Sequence, residues 1–132
     1  MHGEEIMTHG RRILLVDDDH DILKGTRLRL RAAGYETIEA HSGADGVSSA
    51  IEHQPDAIIM DVRMKNMDGL TALSKLRVHT TTKHIPVVML SASPTEQQAA
   101  LDAGARFYLL KPYVGKNLVA AVDSVISEKE SE

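Results

Sequence analysis

The sequence predicts an α/β protein in which a mainly parallel five-stranded sheet carries helices on both faces. Short apolar runs alternate with segments of helical spacing, so that a strand–helix unit repeats five times along the 132 residues. Four of the five predicted strands stop abruptly at a polar side chain. Because parallel strands place their carboxyl ends at one edge of the sheet, these polar side chains are predicted to meet there.

The first strand–helix unit begins with the apolar run at residues 13–16, which ends at three consecutive aspartates, 17–19. A helix is predicted over residues 22–33, because acids lie near its start, arginines gather toward its end and Gly34 follows as a stop. Residues 35–40 are predicted to form the second strand. Their mixed polarity places this strand nearer an edge of the sheet.

The second helix is predicted to run to residue 53, since residues 42–45 resemble a capping box. The third strand, residues 57–60, is a run of four apolar residues predicted to be buried on both faces, and it ends at Asp61. Ligands of open α/β sheets bind at that edge, so an acid there is more often chemical than structural. A short helix with leucine at every third position follows, up to residue 78.

The last two units follow the same order. The fourth strand, residues 87–90, stops at Ser91, and residues 93–96 then combine the N-cap, proline and acid that begin a helix. The fifth strand, residues 107–110, stops at Lys111. A last helix follows, whose apolar residues form a single stripe typical of a helix packed on one face.

Length and composition indicate one globular domain. Residues 1–10 are expected to be a flexible leader, residues 11–127 the folded domain, and residues 128–132 a charged tail. Hydrophobic residues make up 42% of the chain and charged residues 26%, which is ordinary for a globular protein. No apolar run approaches the roughly 20 residues that a membrane span needs, and the leader lacks a signal-peptide pattern.

Charge and cysteine content narrow the function classes further. The absence of cysteine excludes disulfides and thiolate metal sites, and together with the missing export signal it predicts a cytoplasmic protein. A net charge of -4 gives no electrostatic reason to expect nucleic-acid binding. The seven histidines are scattered and are interpreted as surface residues.

The polar residues at the strand ends suit phosphoryl transfer. Neighbouring carboxylates, here Asp17, Asp18 and Asp61, repel one another, which raises pKa values or recruits a cation. Oxygen ligands fit a hard ion such as Mg²⁺, which is usually shared with a phosphate. Ser91 and Lys111 add a hydroxyl and an ammonium, which complete the groups that stabilise a transferring phosphoryl group. Asp61 is the candidate nucleophile.

Each of these residues also has a purely structural interpretation. Residues 17–19 could form only a polar turn before a helix, Ser91 could be a turn residue, and Lys111 could be a solvated lysine. One such polar residue at the end of a strand is easily explained by chance. Groups suited to phosphoryl transfer at four strand ends are much less expected by chance.

These residues lie in an ordered set of motifs that resembles the response-regulator receiver domain of two-component signalling, including the chemotaxis regulators. The resemblance covers about residues 11–127. Its motifs are Leu14-Leu15-Val16-Asp17-Asp18, Met60-Asp61 with Met64 and Met67-Asp68-Gly69, Ser91-Ala92, Ala103-Gly104-Ala105, and Tyr108 with Lys111-Pro112. The resemblance implies a three-layer α/β/α fold with the flavodoxin-like strand order 2-1-3-4-5.

The resemblance also implies a role for each aspartate. Asp61 matches the phosphoacceptor, which takes a phosphoryl group from a histidine kinase or a histidine phosphotransfer protein. Asp17 and Asp18 match the acidic pair that holds Mg²⁺, with further ligands from Asp61 and the backbone carbonyl of Arg63. The domain would then be a signalling phosphoacceptor rather than an enzyme.

The same resemblance implies a switch. Ser91 matches the hydroxyl that bonds a phosphoryl oxygen, and Tyr108 matches the aromatic residue whose rotamer reports that bond. Lys111 matches the lysine that pairs with the phosphate, and the bond between Lys111 and Pro112 is expected to be cis. Drawing Ser91 inward would alter the surface formed by the last strand and the last two helices.

The sequence departs from the family pattern at two positions in the loop after Asp61. Lys65 stands where the family usually has proline, so this loop is expected to be more mobile or differently aimed. The resemblance implies that the side chain at the position of Arg63 lies over the site and tunes dephosphorylation. We therefore expect Arg63 to alter the lifetime of the acyl phosphate.

The resulting prediction is a receiver, stand-alone or cut from a longer protein, that passes its change to an unknown downstream protein. No nucleic-acid or membrane partner is predicted, and a monomer or a phosphorylation-linked dimer is expected. Residues 24–31 form a basic face that is a candidate docking surface for the phosphodonor, although a solvated face is the default interpretation. Two alternatives stay open: a haloacid-dehalogenase-type phosphohydrolase that uses Asp17, and an interaction module that works without phosphorylation.

Overall fold

The computed structural model describes residues 10–111 and 115–130, in which five strands alternate with five α-helices. The strands are β1 (Arg12–Val16), β2 (Glu36–Ala40), β3 (Ala57–Asp61), β4 (Val87–Ser91) and β5 (Phe107–Leu110). The helices are α1 (His20–Ala32), α2 (Gly43–His53), α3 (Gly69–Val78), α4 (Gln97–Asp102) and α5 (Gly115–Glu130), and a 3₁₀ turn (Pro94–Glu96) leads into α4.

The five strands form one parallel sheet in the order β2-β1-β3-β4-β5, which confirms the expected topology. The strand of mixed polarity, β2, lies at an edge as predicted. All five residues of β3 are buried, as expected for a central strand covered on both faces. The last residue of β3, Asp61, pairs with Leu90, and the last residue of β4, Ser91, pairs with Leu110. The register thus brings the strand ends to one edge.

The hydrophobic core lies in two layers, one on each face of the sheet. Alternate residues of a strand point to opposite faces, so Leu14 of β1 joins one layer and Leu15 joins the other. Buried residues of α2, α3 and α4 complete the first layer, and buried residues of α1 and α5 complete the second. The molecule is therefore a three-layer α/β/α structure, as the resemblance implied.

Local capping decides where two helices begin. The side chain of Asp19 accepts hydrogen bonds from two backbone N–H groups of the first turn, so α1 begins at His20, two residues earlier than predicted. The side chain of Ser93 accepts from the N–H of Thr95, only two residues ahead. This tight turn continues as a 3₁₀ segment, and α-helix begins only at Gln97.

Some predicted features lie outside the described residues. They include the leader up to residue 9, the bond between Lys111 and Pro112, and the end of the charged tail. Within the described ranges, the structure contains no helix with the length and apolar character required to cross a membrane.

Candidate functional site

Three aspartates meet at the carboxyl edge of the sheet, as the strand ends predicted. Asp17 follows β1 directly and Asp18 comes next, whereas Asp61 ends the adjacent strand β3. One carboxylate oxygen from each residue lies within 4.8 Å of the other two. Asp17 and Asp61 are only 3% and 6% exposed, and Asp18 is half-buried. The fold therefore concentrates three acids in a largely buried position.

Lys111 brings a positive charge to these acids from the end of β5. Its Nζ lies 2.9 Å from Oδ1 of Asp61 and 3.5 Å from Oδ2 of Asp17. Its backbone N–H donates to the carbonyl oxygen of Ser91 at 2.7 Å, which ties the end of β5 to the end of β4. A lysine is thus held against aspartates that follow two other strands.

The burial of this cluster changes its ionisation. Desolvation raises the pKa of Asp17 and Asp61 above 3.8, although the hydrogen bond from Lys111 opposes the rise at Asp61. Burial alone would lower the pKa of Lys111, but its hydrogen bond to Asp61 and the nearby charge of Asp17 raise it overall. Lys111 is therefore held as a cation. One lysine does not balance three carboxylates, so the site favours an additional cation.

The oxygen atoms of the cluster fit a magnesium ion. Oδ1 of Asp17 accepts from the N–H of Asp19 at 2.9 Å, whereas its buried Oδ2 accepts no hydrogen bond within the described residues. The nearest cation, Nζ of Lys111, is 3.5 Å away, which is beyond a normal hydrogen-bond length. Oδ2 of Asp18 accepts from the N–H of Lys65 at 3.0 Å. Mg²⁺ prefers such carboxylate ligands and would satisfy the unpaired oxygen, so the three aspartates are the residues that could hold it.

Ser91 and Tyr108 are linked through the backbone of Ser93. The fully buried hydroxyl of Ser91 accepts a hydrogen bond from the N–H of Ser93 at 3.1 Å. The hydroxyl of Tyr108 donates to the carbonyl oxygen of Ser93 at 2.5 Å. The sequence predicts only a helix cap at Ser93. Its second role depends on backbone groups, which leave no signal in the sequence.

Arg63, the residue expected over the site, forms an ion pair with Glu96. Nη2 of Arg63 lies 3.0 Å from Oε2 of Glu96, which belongs to the 3₁₀ turn after β4. In the sequence, Glu96 is recognisable only as an acid at a helix start, so its place beside Arg63 is visible only in the structure. The ligand role of the Arg63 carbonyl stays a prediction.

Gly69 allows α3 to begin directly against the end of β3. Its N–H donates to the carbonyl oxygen of Val62 at 2.7 Å. A Cβ at this position would overlap the carbonyl oxygen of Asp61 and would lie 2.9 Å from the Cε of Met89. The glycine of the Met67-Asp68-Gly69 motif is therefore required by close packing behind Asp61.

The predicted site residues are thus mostly brought together. Asp17, Asp18, Asp61 and Lys111 form one cluster, and Ser91 lies at the same edge at the end of the neighbouring strand. The structure gives both Asp17 and Asp61 a buried position. Lys111 lies closer to Asp61 than to Asp17, at 2.9 Å against 3.5 Å.

Comparison with known proteins identifies the family. The family model described as the response regulator receiver domain matches residues 13–123. The transcriptional regulatory protein PrrA of Mycobacterium tuberculosis is 40% identical over 122 residues, which are 91% of this chain and 52% of PrrA. The response regulator MprA of Mycobacterium avium is 36% identical over 123 residues, which are 92% of this chain and 53% of MprA. The chain therefore spans about half the length of these curated relatives.

Solved structures agree with this match. The chemotaxis protein CheY4 of Vibrio cholerae superposes with a TM-score of 0.81 at 31% identity, covering 87% of this chain and 98% of CheY4. The receiver domain of the sensor histidine kinase PA1611 of Pseudomonas aeruginosa gives a TM-score of 0.84 at 30% identity, covering 89% and 98%. That structure has a magnesium ion coordinated in its active-site cleft.

Proposed function

Because the chain belongs to the response regulator receiver domain family, we propose that Asp61 accepts a phosphoryl group with the help of Mg²⁺ and that this event switches an interaction surface. The observation that carries the proposal is the contact of Lys111 with Asp61 beside two further aspartates. A carboxylate that could act as a nucleophile, a cation and acids that could hold a metal ion therefore lie together at one sheet edge. Histidine kinases are the partners of receiver domains, and we propose a histidine kinase or a histidine phosphotransfer protein as the donor.

The chemistry follows from the residues of the cluster. An oxygen of the Asp61 carboxylate attacks the phosphorus of a phosphohistidine; an O–P bond forms, the P–N bond breaks, and its electron pair leaves on the imidazole nitrogen. Mg²⁺, held by the three aspartates, would neutralise charge on the transferring group. Lys111, kept cationic by its neighbours, pairs with a phosphoryl oxygen, and the hydroxyl of Ser91 donates to another. Water later breaks the O–P bond and regenerates Asp61.

The connection between Ser91 and Tyr108 supports a switch. When the hydroxyl of Ser91 turns to a phosphoryl oxygen, the N–H of Ser93 loses its acceptor. The backbone of Ser93 then shifts, and Tyr108 responds because its hydroxyl is bonded to the Ser93 carbonyl. The surface that changes is formed by α4, β5 and α5.

In this proposal, the phosphorylated receiver passes its signal to another protein. The relative PrrA is named a transcriptional regulatory protein, so we include transcription among the outputs of the pathway. The receiver itself is proposed to contact protein rather than nucleic acid, since its net charge is -4. We further propose that it acts in the cytoplasm as a signalling phosphoacceptor, whose reactions are self-catalysed transfer and dephosphorylation.

Phosphoryl uptake from acetyl phosphate tests the proposal. With Mg²⁺ present, the wild-type protein is expected to gain one base-labile phosphoryl group, measured by intact-protein mass spectrometry, and to lose this gain when Mg²⁺ is chelated. Asp61→Asn should abolish uptake, whereas Asp21→Asn, which changes an exposed acid at the start of α1, should leave it unchanged. Uptake that persists in Asp61→Asn but disappears in Asp17→Asn would favour the phosphohydrolase alternative. Failure of the wild-type protein to take up phosphate or to bind beryllofluoride would favour the phosphorylation-independent module.

A further inference from the structure

The loop after β3 is bonded to the acidic pair after β1 by a backbone amide. The N–H of Lys65 donates to Oδ2 of Asp18 with an N···O distance of 3.0 Å. The two residues are 47 positions apart in the sequence. This hydrogen bond therefore joins two separate loops at the sheet edge where the three aspartates meet.

We propose that the backbone N–H of Lys65 is a positioning group for Asp18 that prepares the acidic cluster for a divalent cation. The amide holds one oxygen of Asp18, which keeps the carboxylate turned toward Asp17 and Asp61. Cation binding and order in the loop of residues 62–68 are thereby coupled. This inference rests on the proposed function, which supplies Mg²⁺ as the cation.

Each aspartate of the cluster is held by one donor. Oδ1 of Asp17 accepts from a backbone N–H at 2.9 Å, and Oδ1 of Asp61 accepts from Nζ of Lys111 at 2.9 Å. Within the described residues, Asp18 accepts one hydrogen bond, and its donor is the amide of Lys65. Asp18 is therefore the member of the cluster whose donor comes from the loop after β3.

Asp18 needs such a bond because it is the most exposed member of the cluster. Asp17 and Asp61 are confined by burial, whereas Asp18 is half-buried and follows the strand in a loop. Three carboxylates whose oxygens lie within 4.8 Å repel one another when no cation is bound. Without a donor, the least buried carboxylate would turn toward water, and metal binding would have to restore its orientation.

The proposal concerns the amide of Lys65 and not its side chain. Any residue except proline supplies this N–H. In the described part of the chain, Gln54 and Asn66 are the non-glycine residues with positive φ. The φ angle of Lys65 is therefore negative, as proline requires. Receivers usually carry proline at this position, as the resemblance implies, so the bond distinguishes this chain from the family pattern.

A pair of substitutions separates the amide from the side chain. Lys65→Ala keeps the N–H and is expected to bind Mg²⁺ within about twofold of wild type, because only an exposed charge is lost. Lys65→Pro removes the N–H and is expected to weaken Mg²⁺ binding by about three- to tenfold, a typical net effect of one hydrogen bond. The dissociation constants are measured by isothermal titration calorimetry, and circular dichroism verifies that both variants are folded. Equal affinities of the two variants, or tighter binding by Lys65→Pro, would overturn the proposal.

Amide hydrogen exchange provides a second test that does not require proline at position 65. In the wild-type protein, the Lys65 amide is expected to exchange slowly, and Mg²⁺ should slow it further. Asp18→Ala should remove this protection. The amide of Thr71, which donates to Asp68 at 2.8 Å, should stay protected and serves as the internal control. A Lys65 amide that exchanges as fast in the wild type as in Asp18→Ala would also contradict the proposal.

The outcomes distinguish this inference from the proposed function. If the wild-type protein binds Mg²⁺ and is phosphorylated on Asp61 while Lys65→Pro behaves like Lys65→Ala, only the positioning role fails. If the Lys65 amide is protected by Asp18 and both variants behave as expected toward Mg²⁺ but Asp61 takes up no phosphate, only the phosphoacceptor role fails.

Discussion

Arg63 and Glu96 form an ion pair in which Nη2 and Oε2 lie 3.0 Å apart, joining the loop after β3 to the turn after β4. Arg63 is the residue two positions after Asp61, and its side chain is 62% exposed, whereas that of Glu96 is 23% exposed. The pair therefore spans the two loops that border the proposed phosphoryl site. Because its charge is matched by Glu96, Arg63 is expected to act mainly as a cover against water.

We predict that Arg63→Ala shortens the lifetime of the phosphoaspartate by about two- to fivefold, since water then reaches the phosphoryl group more easily. Thermal stability should change little, because an exposed ion pair contributes about 0 to 1 kcal/mol to folding. The lifetime is measured from the decay of phosphoprotein after the phosphodonor is removed. Glu96→Gln serves as the companion variant, because it leaves Arg63 in place but frees its charge. Identical decay in wild type and Arg63→Ala would refute the role of Arg63.

Ser91→Ala is predicted to weaken the binding of beryllofluoride by about tenfold or more, the effect of losing a hydrogen bond to a charged group. The matched control is Ser93→Ala, which lacks a hydroxyl bonded to Thr95 but keeps the backbone groups that contact Ser91 and Tyr108. Its affinity should stay within about twofold of wild type. Titration in the presence of Mg²⁺ gives both values, and similar losses in the two variants would show that the Ser91 hydroxyl has no special role.

Gly69→Ala is predicted to destabilise the protein by at least about 2 kcal/mol, because the new Cβ would overlap the carbonyl oxygen of Asp61. Gly25→Ala is the opposite case. Apart from its chain neighbours and the backbone of its own helix, no atom lies within 4 Å of a Cβ at that position, so alanine should stabilise α1 by about 0.5 to 1 kcal/mol. Urea unfolding measures both changes. If Gly69→Ala leaves the free energy of unfolding unchanged, the backbone behind Asp61 can move to accommodate the new Cβ without loss of stability.

The ionisation of Asp17 and Asp61 predicts how stability depends on pH. Burial raises both pKa values above 3.8, so the folded state binds protons more tightly than the unfolded chain. The contribution of these two acids to the free energy of unfolding should therefore rise as pH falls from neutral toward 3.8. Asp56, whose pKa is lowered, reduces the free energy of unfolding only as the pH falls below 3.8. Lys111, whose pKa is raised, reduces it only as the pH rises above 10.5.

Urea unfolding at pH 7 and pH 5 measures this dependence. Asp17→Asn should be less sensitive to pH than the wild type, because one of the two buried acids no longer titrates. Saturating Mg²⁺ at pH 7 should raise the free energy of unfolding of the wild type by mass action. If the variant and the wild type respond equally to pH, Asp17 is not a source of the dependence.

The sequence alone was sufficient for the fold and for the position of most candidate site residues. Apolar runs locate buried strands because a buried strand tolerates few polar residues, and β3 ends at Asp61 as predicted. Strand–helix alternation implies a parallel sheet, which brings Asp17 and Asp61 to one edge without further information. The roles assigned to Ser91, Tyr108 and Lys111 stay predictions, although the predicted position of Ser91 and Lys111 at that edge agrees with the structure.

The tertiary structure decided what surrounds these residues. The pairing of Arg63 with Glu96 joins residues 33 positions apart, and the bond from Lys65 to Asp18 spans 47 positions. Such contacts depend on how two loops approach each other across the sheet edge. Several of the donors and acceptors are backbone groups, which every residue except proline carries in full and which therefore leave no trace in residue identity. The composition of the site could thus be read from the chain, but its supporting hydrogen bonds could be found only after folding had placed the loops side by side.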